Sequence, residues 1–332
     1  MPARMKKIAV HTAAGPDAAM TEERAGFDVP DVEFRLAGKC RTPEAVAEAV
    51  RDADVALCGS EPYTDAVFAA APKLKMVIRY GVGVDTVDLD AATRHGVMVG
   101  HFPDFCIEEV ANHALTHMLA GAKKFVIQDR AVRDGKWRGF SLAPMGSIHG
   151  ETLGLVAFGN IARAMARRGQ VLGMSVIAHD PYADADAFRE ANVESVSLEE
   201  LAARSDYVSC HLPLNDATRG MLDATFFGHM KPTAYFINTG RGPVVNEADL
   251  VQALREDGIA GAGLDVFETE PIGAGHPLCA MDNVTLTAHT AAYSDATRVS
   301  LSRRLARDVL AVCRGGVPEF VANAAVLDRR RT

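Results

Sequence analysis

The sequence predicts an α/β protein built on parallel sheets, and three observations carry that expectation. Short β-branched runs alternate with helical stretches over the first hundred residues. The same alternation restarts near residue 152 and continues almost to the end. Within that second stretch, one strand-to-helix junction has nearly the glycine spacing of a nucleotide-binding turn.

Taken in order, strands are expected at 8–10, 32–36, 55–58, 76–78 and 97–99. Thr42 followed by Pro43 and Glu44 reads as a capped helix start, with the helix running to Asp52, and a second helix spans 65–71. From Ile107 to about Gly135, Val110, Ala111, Ala114, Leu115, Met118, Leu119 and Ala122 recur at helical spacing. That predicts one long amphipathic helix. Residues 135–150, including the single tryptophan, Trp137, are expected to form a loop. Further strands follow at 152–157, 175–178, 193–196, 207–210, 234–238, 259–264 and 284–287, and a helix over 296–314 comes last.

At 332 residues the chain has room for two domains, and its 48% apolar and 23% charged content is that of a folded protein. The net charge of −8 argues against nucleic acid or an anionic membrane surface as a partner. The basic N-terminus leads into an apolar run of only three residues, too short for a signal peptide, which predicts a cytoplasmic protein. Six cysteines are scattered without a CxxC pair, the pattern of reduced core thiols. His113 and His117 stand four apart near Glu108 and Glu109, a spacing able to hold a metal or simply one face of a helix. No third ligand is in evidence, so no metal site is expected.

The nucleotide-binding signal is the run Leu153 to Val156, then Ala157-Phe158-Gly159-Asn160-Ile161-Ala162. Against G-x-G-x-x-G/A, Gly159 stands where backbone must approach a pyrophosphate, and Ala162 suits close helix-to-strand packing. Ala157 replaces the first glycine, at a cost if the backbone angle there is unusual. Asp180 ends the next strand, the place of a carboxylate that hydrogen-bonds the adenosine ribose.

Further along lie Asn238-Thr239-Gly240-Arg241-Gly242, then Gly263-Leu264-Asp265 with Glu268, Glu270 and Pro271, then Thr287-Ala288-His289. Each group follows an apolar run. An Arg can clamp a carboxylate and a carbonyl together, and a His backed by a carboxylate can move a proton to or from a hydroxyl near neutral pH. With a hydride carrier nearby, those parts suffice to interconvert a 2-hydroxy and a 2-oxo acid.

These motifs, together with Arg79-Tyr80-Gly81-Val82-Gly83-Val84-Asp85, the run 108–114 and Met230-Lys231-Pro232, resemble the D-isomer-specific 2-hydroxyacid dehydrogenase family over nearly the whole chain. The likeness is greatest to the branch containing the C-terminal-binding-protein-like dehydrogenases. The resemblance implies two Rossmann-like or flavodoxin-like lobes with parallel sheets, the cofactor lobe inserted into the substrate lobe. The boundaries become 1–101 with 290–332 for the substrate-binding domain and 102–289 for the NAD-binding Rossmann domain.

By the same resemblance, Arg241 binds the substrate's carboxylate and carbonyl, His289 is the acid/base and Glu270 pairs with His289. Glu268 competes for that last role, and the family spacing from Asp265 favours Glu270. The substrate carboxylate is expected on backbone N–H groups at Val82 and Gly83. NAD is expected on Phe158, Gly159, Asn160, Ile161 and Asp180, with His211, Pro213 and Thr218 lining the site and Thr239, Gly240 and Asp265 facing the nicotinamide. Pro181 and Tyr182 either flank the adenine or form a plain loop.

The helix after Ile107 resembles the family's dimer face, so a homodimer is expected. Phosphoglycerate-type relatives place an Arg-Ser pair where this chain has Cys58 and Gly59, with Glu61 close by. A small, unphosphorylated acid of the glyoxylate or hydroxypyruvate type is therefore the expected substrate, unless Arg35 or Lys39 supplies a relocated phosphate site. The rival reading is an NAD(H)-sensing corepressor-like interaction protein on the same fold.

Overall fold

The computed structural model describes residues 6–15, 17–137, 142 and 145–331. The chain divides into two compact units, one formed by residues 1–105 with 294–332 and the other by 106–293. Each junction falls a few residues beyond the boundary expected from sequence.

The first unit carries five strands: β1 (Lys7–His11), β2 (Val32–Leu36), β3 (Val55–Cys58), β4 (Met76–Arg79) and β5 (Met98–Gly100). They lie in the order β2-β1-β3-β4-β5, every neighbouring pair parallel. This is the doubly wound order of flavodoxin-like sheets, which need helices on both faces and so have near-continuously apolar central strands. Val55, Ala56, Leu57 and Cys58 are all fully buried. Thr42 caps the helix Pro43–Val50 by accepting from the Ala45 N–H, as the Thr-Pro-Glu start predicts. The helix Asp295–Cys313 covers the other face, with Leu301, Leu305, Val309 and Val312 packed in one cluster with Met76, Ile78, Met98 and Phe102.

The second unit carries seven: β6 (Thr152–Val156), β7 (Ser175–His179), β8 (Glu194–Ser195), β9 (Tyr207–Cys210), β10 (Tyr235–Asn238), β11 (Gly261–Leu264) and β12 (Val284–Leu286). Their order is β12-β11-β10-β9-β6-β7-β8, again parallel throughout. The strand order reverses at β6 and β9, and ligands of open α/β sheets bind at the carboxyl ends beside such a switch.

One expectation is corrected. The single helix over 107–135 is two helices, Ile107–Ala122 and Phe125–Arg133. Lys124 takes a left-handed conformation with φ of 47°, and the N–H groups of Lys123 and Lys124 close onto the Leu119 and Gly121 carbonyls. Apolar spacing runs on through Phe125, Val126 and Ile127, so periodicity does not register a break set by backbone angle. Of the loop expected over 135–150, residues 138–141, 143 and 144 lie outside the described residues. Trp137 is 90% exposed.

Candidate active site

In the second unit the expected residues gather at the carboxyl ends of the strands. Beyond β6, Ala157 has φ of 75°, so alanine occupies the left-handed position that glycine ordinarily takes. That conformation costs an L-residue about 1–2 kcal/mol, and the turn is kept despite it. The helix Asn160–Val171 follows. The N–H groups of its first turn have no intrahelical acceptor and face forward with the positive end of the helix dipole. A side chain at Gly159 would meet nothing within 4 Å, which leaves the approach open. Ala162 is fully buried. Phe158 is buried and stacks on Phe188, their ring centroids 4.5 Å apart.

Asp180, just after β7, takes the Phe158 N–H on one carboxylate oxygen (2.8 Å) and the Tyr182 N–H on the other (2.9 Å). It thereby fixes the turn after β6 against the end of the next strand. Tyr182 is 92% exposed. Beyond β9, the ring of His211 is held through Nε2 by the Ser209 hydroxyl at 3.0 Å, and burial lowers its pKa to about 4. The Thr218 hydroxyl donates to the Pro213 carbonyl at 2.7 Å, so it shapes the loop from Pro213 to Thr218 rather than standing free.

Among the described residues, His211 Nδ1 and Thr239 Oγ1 are buried polar atoms without a protein partner. Buried polar groups are nearly always satisfied, so two orphans at the ends of adjacent strands, near an open helix start, fit a polar ligand such as a dinucleotide.

Beyond β10 the buried Asn238 side chain builds the turn that presents Arg241. Its amide oxygen accepts from the Gly240 N–H and its amide nitrogen donates to the Arg241 carbonyl, both at 3.0 Å. Gly242 is obligatory, because any Cβ there would overlap the Phe267 backbone. Arg241 is half-buried, one guanidinium nitrogen donating to the Gly240 carbonyl at 2.9 Å. Asn238 belongs to the motif read from the sequence but carries no role there, although the Asn-x-Gly spacing is the signal of such a turn.

Beyond β11 and β12 stands a Glu–His pair. His289 Nδ1 lies 2.7 Å from Glu270 Oε2, and Glu270 Oε1 accepts from the Phe267 N–H at 3.0 Å. Burial pushes the Glu270 carboxyl up, but the hydrogen bonds from His289 and Phe267 outweigh it and the net shift is downward. Glu270 is therefore an anion near neutral pH. Glu268 is exposed, with its backbone N–H on Glu247, and it is Glu270 that meets the imidazole.

Asp265 is fully buried. Its Oδ1 takes the Thr287 hydroxyl (2.6 Å) and the Thr290 N–H (2.8 Å), and its Oδ2 takes the Ala291 N–H (2.9 Å). Its backbone carbonyl accepts from the His289 N–H at 2.8 Å. Asp265 thus ties down the loop on which His289 sits, at φ of 53°. Burial opposes its ionisation, but these donors and the neighbouring His113 hold its pKa below the ordinary value. His113 and His117 bond to Thr287 and to Thr285 with Thr287, respectively.

In the first unit, the turn after β4 leaves Val82 and Gly83 half-buried. The Val82 carbonyl lies 2.9 Å from His101 Nδ1, and among the described residues no protein acceptor is found for the Val82 or Gly83 N–H. At the end of β3, Cys58 is fully buried and burial raises its pKa to about 12. The Gly59 N–H and the Thr12 hydroxyl converge on Glu61 Oε2, at 2.7 and 3.4 Å. Arg35 is engaged by Glu33 and Asp52 at 2.7 and 2.9 Å.

Residues 115–291 match the model of the NAD-binding domain of D-isomer-specific 2-hydroxyacid dehydrogenases. A glyoxylate reductase of Korarchaeum cryptofilum is 40% identical over 293 residues, 86% of this chain and 88% of that one. A D-3-phosphoglycerate dehydrogenase of Mycobacterium bovis is 37% identical over 287 residues, 82% of this chain and 54% of that one. The crystal structure of a glyoxylate reductase from Paecilomyes thermophila superposes with a TM-score of 0.85 at 25% identity, covering 98% of this chain and 99% of that one.

Proposed function

Since this chain belongs to the D-isomer-specific 2-hydroxyacid dehydrogenase family, we propose that it interconverts a small unphosphorylated 2-oxo acid, of the glyoxylate or hydroxypyruvate type, with the D-2-hydroxy acid. The observation that carries the reading is the Glu270–His289 pair at 2.7 Å, presented at the strand ends that also hold Arg241. Bound NAD(H) supplies or takes up the hydride at C2.

The chain's residues do the rest. Arg241 clamps the substrate's carboxylate and carbonyl. The ionised Glu270 accepts from Nδ1–H of His289, which leaves Nε2 to deliver a proton to the oxygen that becomes the hydroxyl. In the reverse direction Nε2 removes that proton. On the first unit, the open N–H groups of Val82 and Gly83 are our candidates for the substrate carboxylate. The first unit is the substrate-binding domain in this reading and the second the NAD-binding domain, with the turn from Phe158 to Ile161 for the pyrophosphate and Asp180 for the ribose. His211 would line the cofactor site, and Thr239 would face the nicotinamide.

The substrate class follows from the strand ends of the first unit. A phosphate is recognised by charge-assisted donors, best by a two-pronged Arg. Here the thiol of Cys58 is buried, Glu61 adds a negative charge and Arg35 is neutralised by two carboxylates. We also read the protein as a cytoplasmic homodimer. All six cysteines are free, five of them buried, and no helix among the described residues is long and apolar enough to cross a membrane. Phe125, Val132 and Trp137 are exposed in and after the helix that follows Ile107–Ala122, the apolar surface a second copy would cover.

The test is kcat/KM for glyoxylate, hydroxypyruvate and phosphohydroxypyruvate with NADH. The expected result is a preference of about tenfold or more for the unphosphorylated acids. A tenfold preference for the phosphate ester overturns the substrate class. Absence of turnover with all three at millimolar concentration overturns the catalytic reading and favours the NAD(H) sensor.

A further inference from the structure

Behind the acid/base pair, on the side away from solvent, runs a chain of side-chain hydrogen bonds that the reaction as described does not use. His117 lies inside the helix Ile107–Ala122 and is only 4% exposed. Its ring is admitted by Gly263 on β11, where any Cβ would collide with the imidazole. Nδ1 of His117 is 2.6 Å from Thr285 Oγ1 and Nε2 is 3.2 Å from Thr287 Oγ1. Both threonines belong to the β12 segment that leads directly into His289.

The direction of each bond can be worked out. The Thr287 hydroxyl donates to Asp265 Oδ1 at 2.6 Å, a carboxylate that can only accept, so the imidazoles facing Thr287 must donate to its oxygen. Burial holds His117 neutral with a pKa of about 4, so its ring carries one proton, and that proton is on Nε2. Nδ1 is then an acceptor. The Thr285 hydroxyl supplies the proton to it at 2.6 Å, since an unprotonated ring nitrogen can only accept, and its contact with the Tyr235 hydroxyl is longer, at 3.1 Å. The result is one directed relay: Thr285 to His117, His117 to Thr287, Thr287 to Asp265. It ends on the carboxylate that fixes the N–H groups of Thr290 and Ala291.

We propose that His117 is a positioning residue of the reaction: by donating to Thr287 it orients the Thr287 hydroxyl onto Asp265, and so holds the left-handed backbone that presents His289. His117 touches neither substrate nor cofactor in this role. An apolar side chain would fill the same volume, but the Thr287 oxygen would keep only the His113 donor at 2.8 Å and lose the second one that fixes its hydroxyl direction. A shift of about 1 Å in the acid/base is enough to slow proton transfer. The proposal rests on the reading of His289 as the acid/base.

The test compares His117→Leu with His117→Gln, whose side-chain amide nitrogen falls near the position of Nε2 and restores the donor to Thr287. His117→Leu is expected to lower kcat about tenfold, with KM for the 2-oxo acid and Kd for NADH within twofold of the parent and an unchanged Tm. His117→Gln is expected to recover kcat to within about threefold. A leucine variant with parental kcat, or a glutamine variant as slow as the leucine one, overturns the proposal. So does a loss of kcat that comes with an equal loss of NADH binding, which is what disturbed packing alone would give. If the leucine variant does not fold, as judged by circular dichroism, His117→Met fills the space more adaptably and takes its place. His289→Ala, measured alongside, separates the two readings: parental turnover there discards the acid/base assignment whatever His117 does.

Discussion

Burial of neutral imidazoles should make this fold unusually sensitive to mild acid. His11, His117 and His211 are each brought from 6.5 to about 4, with loss of hydration as the leading cause. At His11 the nearby Glu23 opposes the effect, and at His117 His113 adds to it while Asp265 opposes it. The folded pKa lies below the unfolded one, so the unfolded chain takes up protons first as pH falls. Stability is therefore fully present above about pH 6.5 and is lost on the way down to about 4.

At ~1.4 kcal/mol per pH unit, each histidine is worth roughly 3 kcal/mol across that window, and between about pH 5.5 and 4.5 the three together give a slope of ~4 kcal/mol per unit. Domain stabilities are about 5–15 kcal/mol, so a loss of roughly 10 kcal/mol over the whole window removes most of a typical stability by about pH 4. Urea unfolding followed by far-ultraviolet circular dichroism at several pH values measures it. His11→Asn is the control. Asn Oδ1 can replace the Nδ1 that accepts from the Ala13 and Ala14 N–H groups, yet it does not titrate, so the slope should fall by about a third. A stability constant to within about 1 kcal/mol between pH 5.5 and 4.5 would refute the reasoning.

Two further outcomes are expected at the site. Glu270→Gln removes the carboxylate beside the imidazole while keeping an acceptor, so the basic limb of kcat/KM for reduction should move to lower pH by about one unit or more. An unchanged pH profile would mean that Glu268, or neither residue, partners His289. Asp180→Ala should narrow the preference for NADH over NADPH, because a 2′-phosphate carries about two negative charges that a carboxylate repels. The ratio of kcat/KM for the two cofactors reads this, and a parent enzyme that uses both equally would sink the assignment.

Much of the architecture was legible because parallel sheets bury both faces of each strand. Runs such as 55–58 and 235–237 are uninterrupted in apolar character, and the buried Cys58 does not disturb the first. Arg241, Glu270 and His289 were legible because each follows such a strand within a few residues, where the fold collects its chemistry. What escaped was set by backbone angle or by partners distant in sequence. Nothing in the apolar period around Lys124 announces a left-handed residue. The tolerance of Ala157 for its positive φ depends on the surrounding turn. His117 read as one of two imidazoles on a helix face, and only the packing of that helix over β11 shows that it is buried against Thr285 and Thr287, more than 160 positions away.

The discontinuity of the first unit has a consequence for how the molecule is made. The helix that covers Met76, Ile78, Met98 and Phe102 begins at Asp295, so about 190 residues must leave the ribosome between the last strand of that sheet and its cover. At roughly 5–20 residues per second, this takes on the order of 10–40 s. Through that interval the nascent chain carries an apolar sheet face whose main cover is still unmade, with Phe27 and Val29 of the early chain laid against it. The second unit, continuous in sequence, has no such wait and can reach its native packing first. Chaperone attachment during synthesis should therefore concentrate on the early strands and end as the final helix emerges.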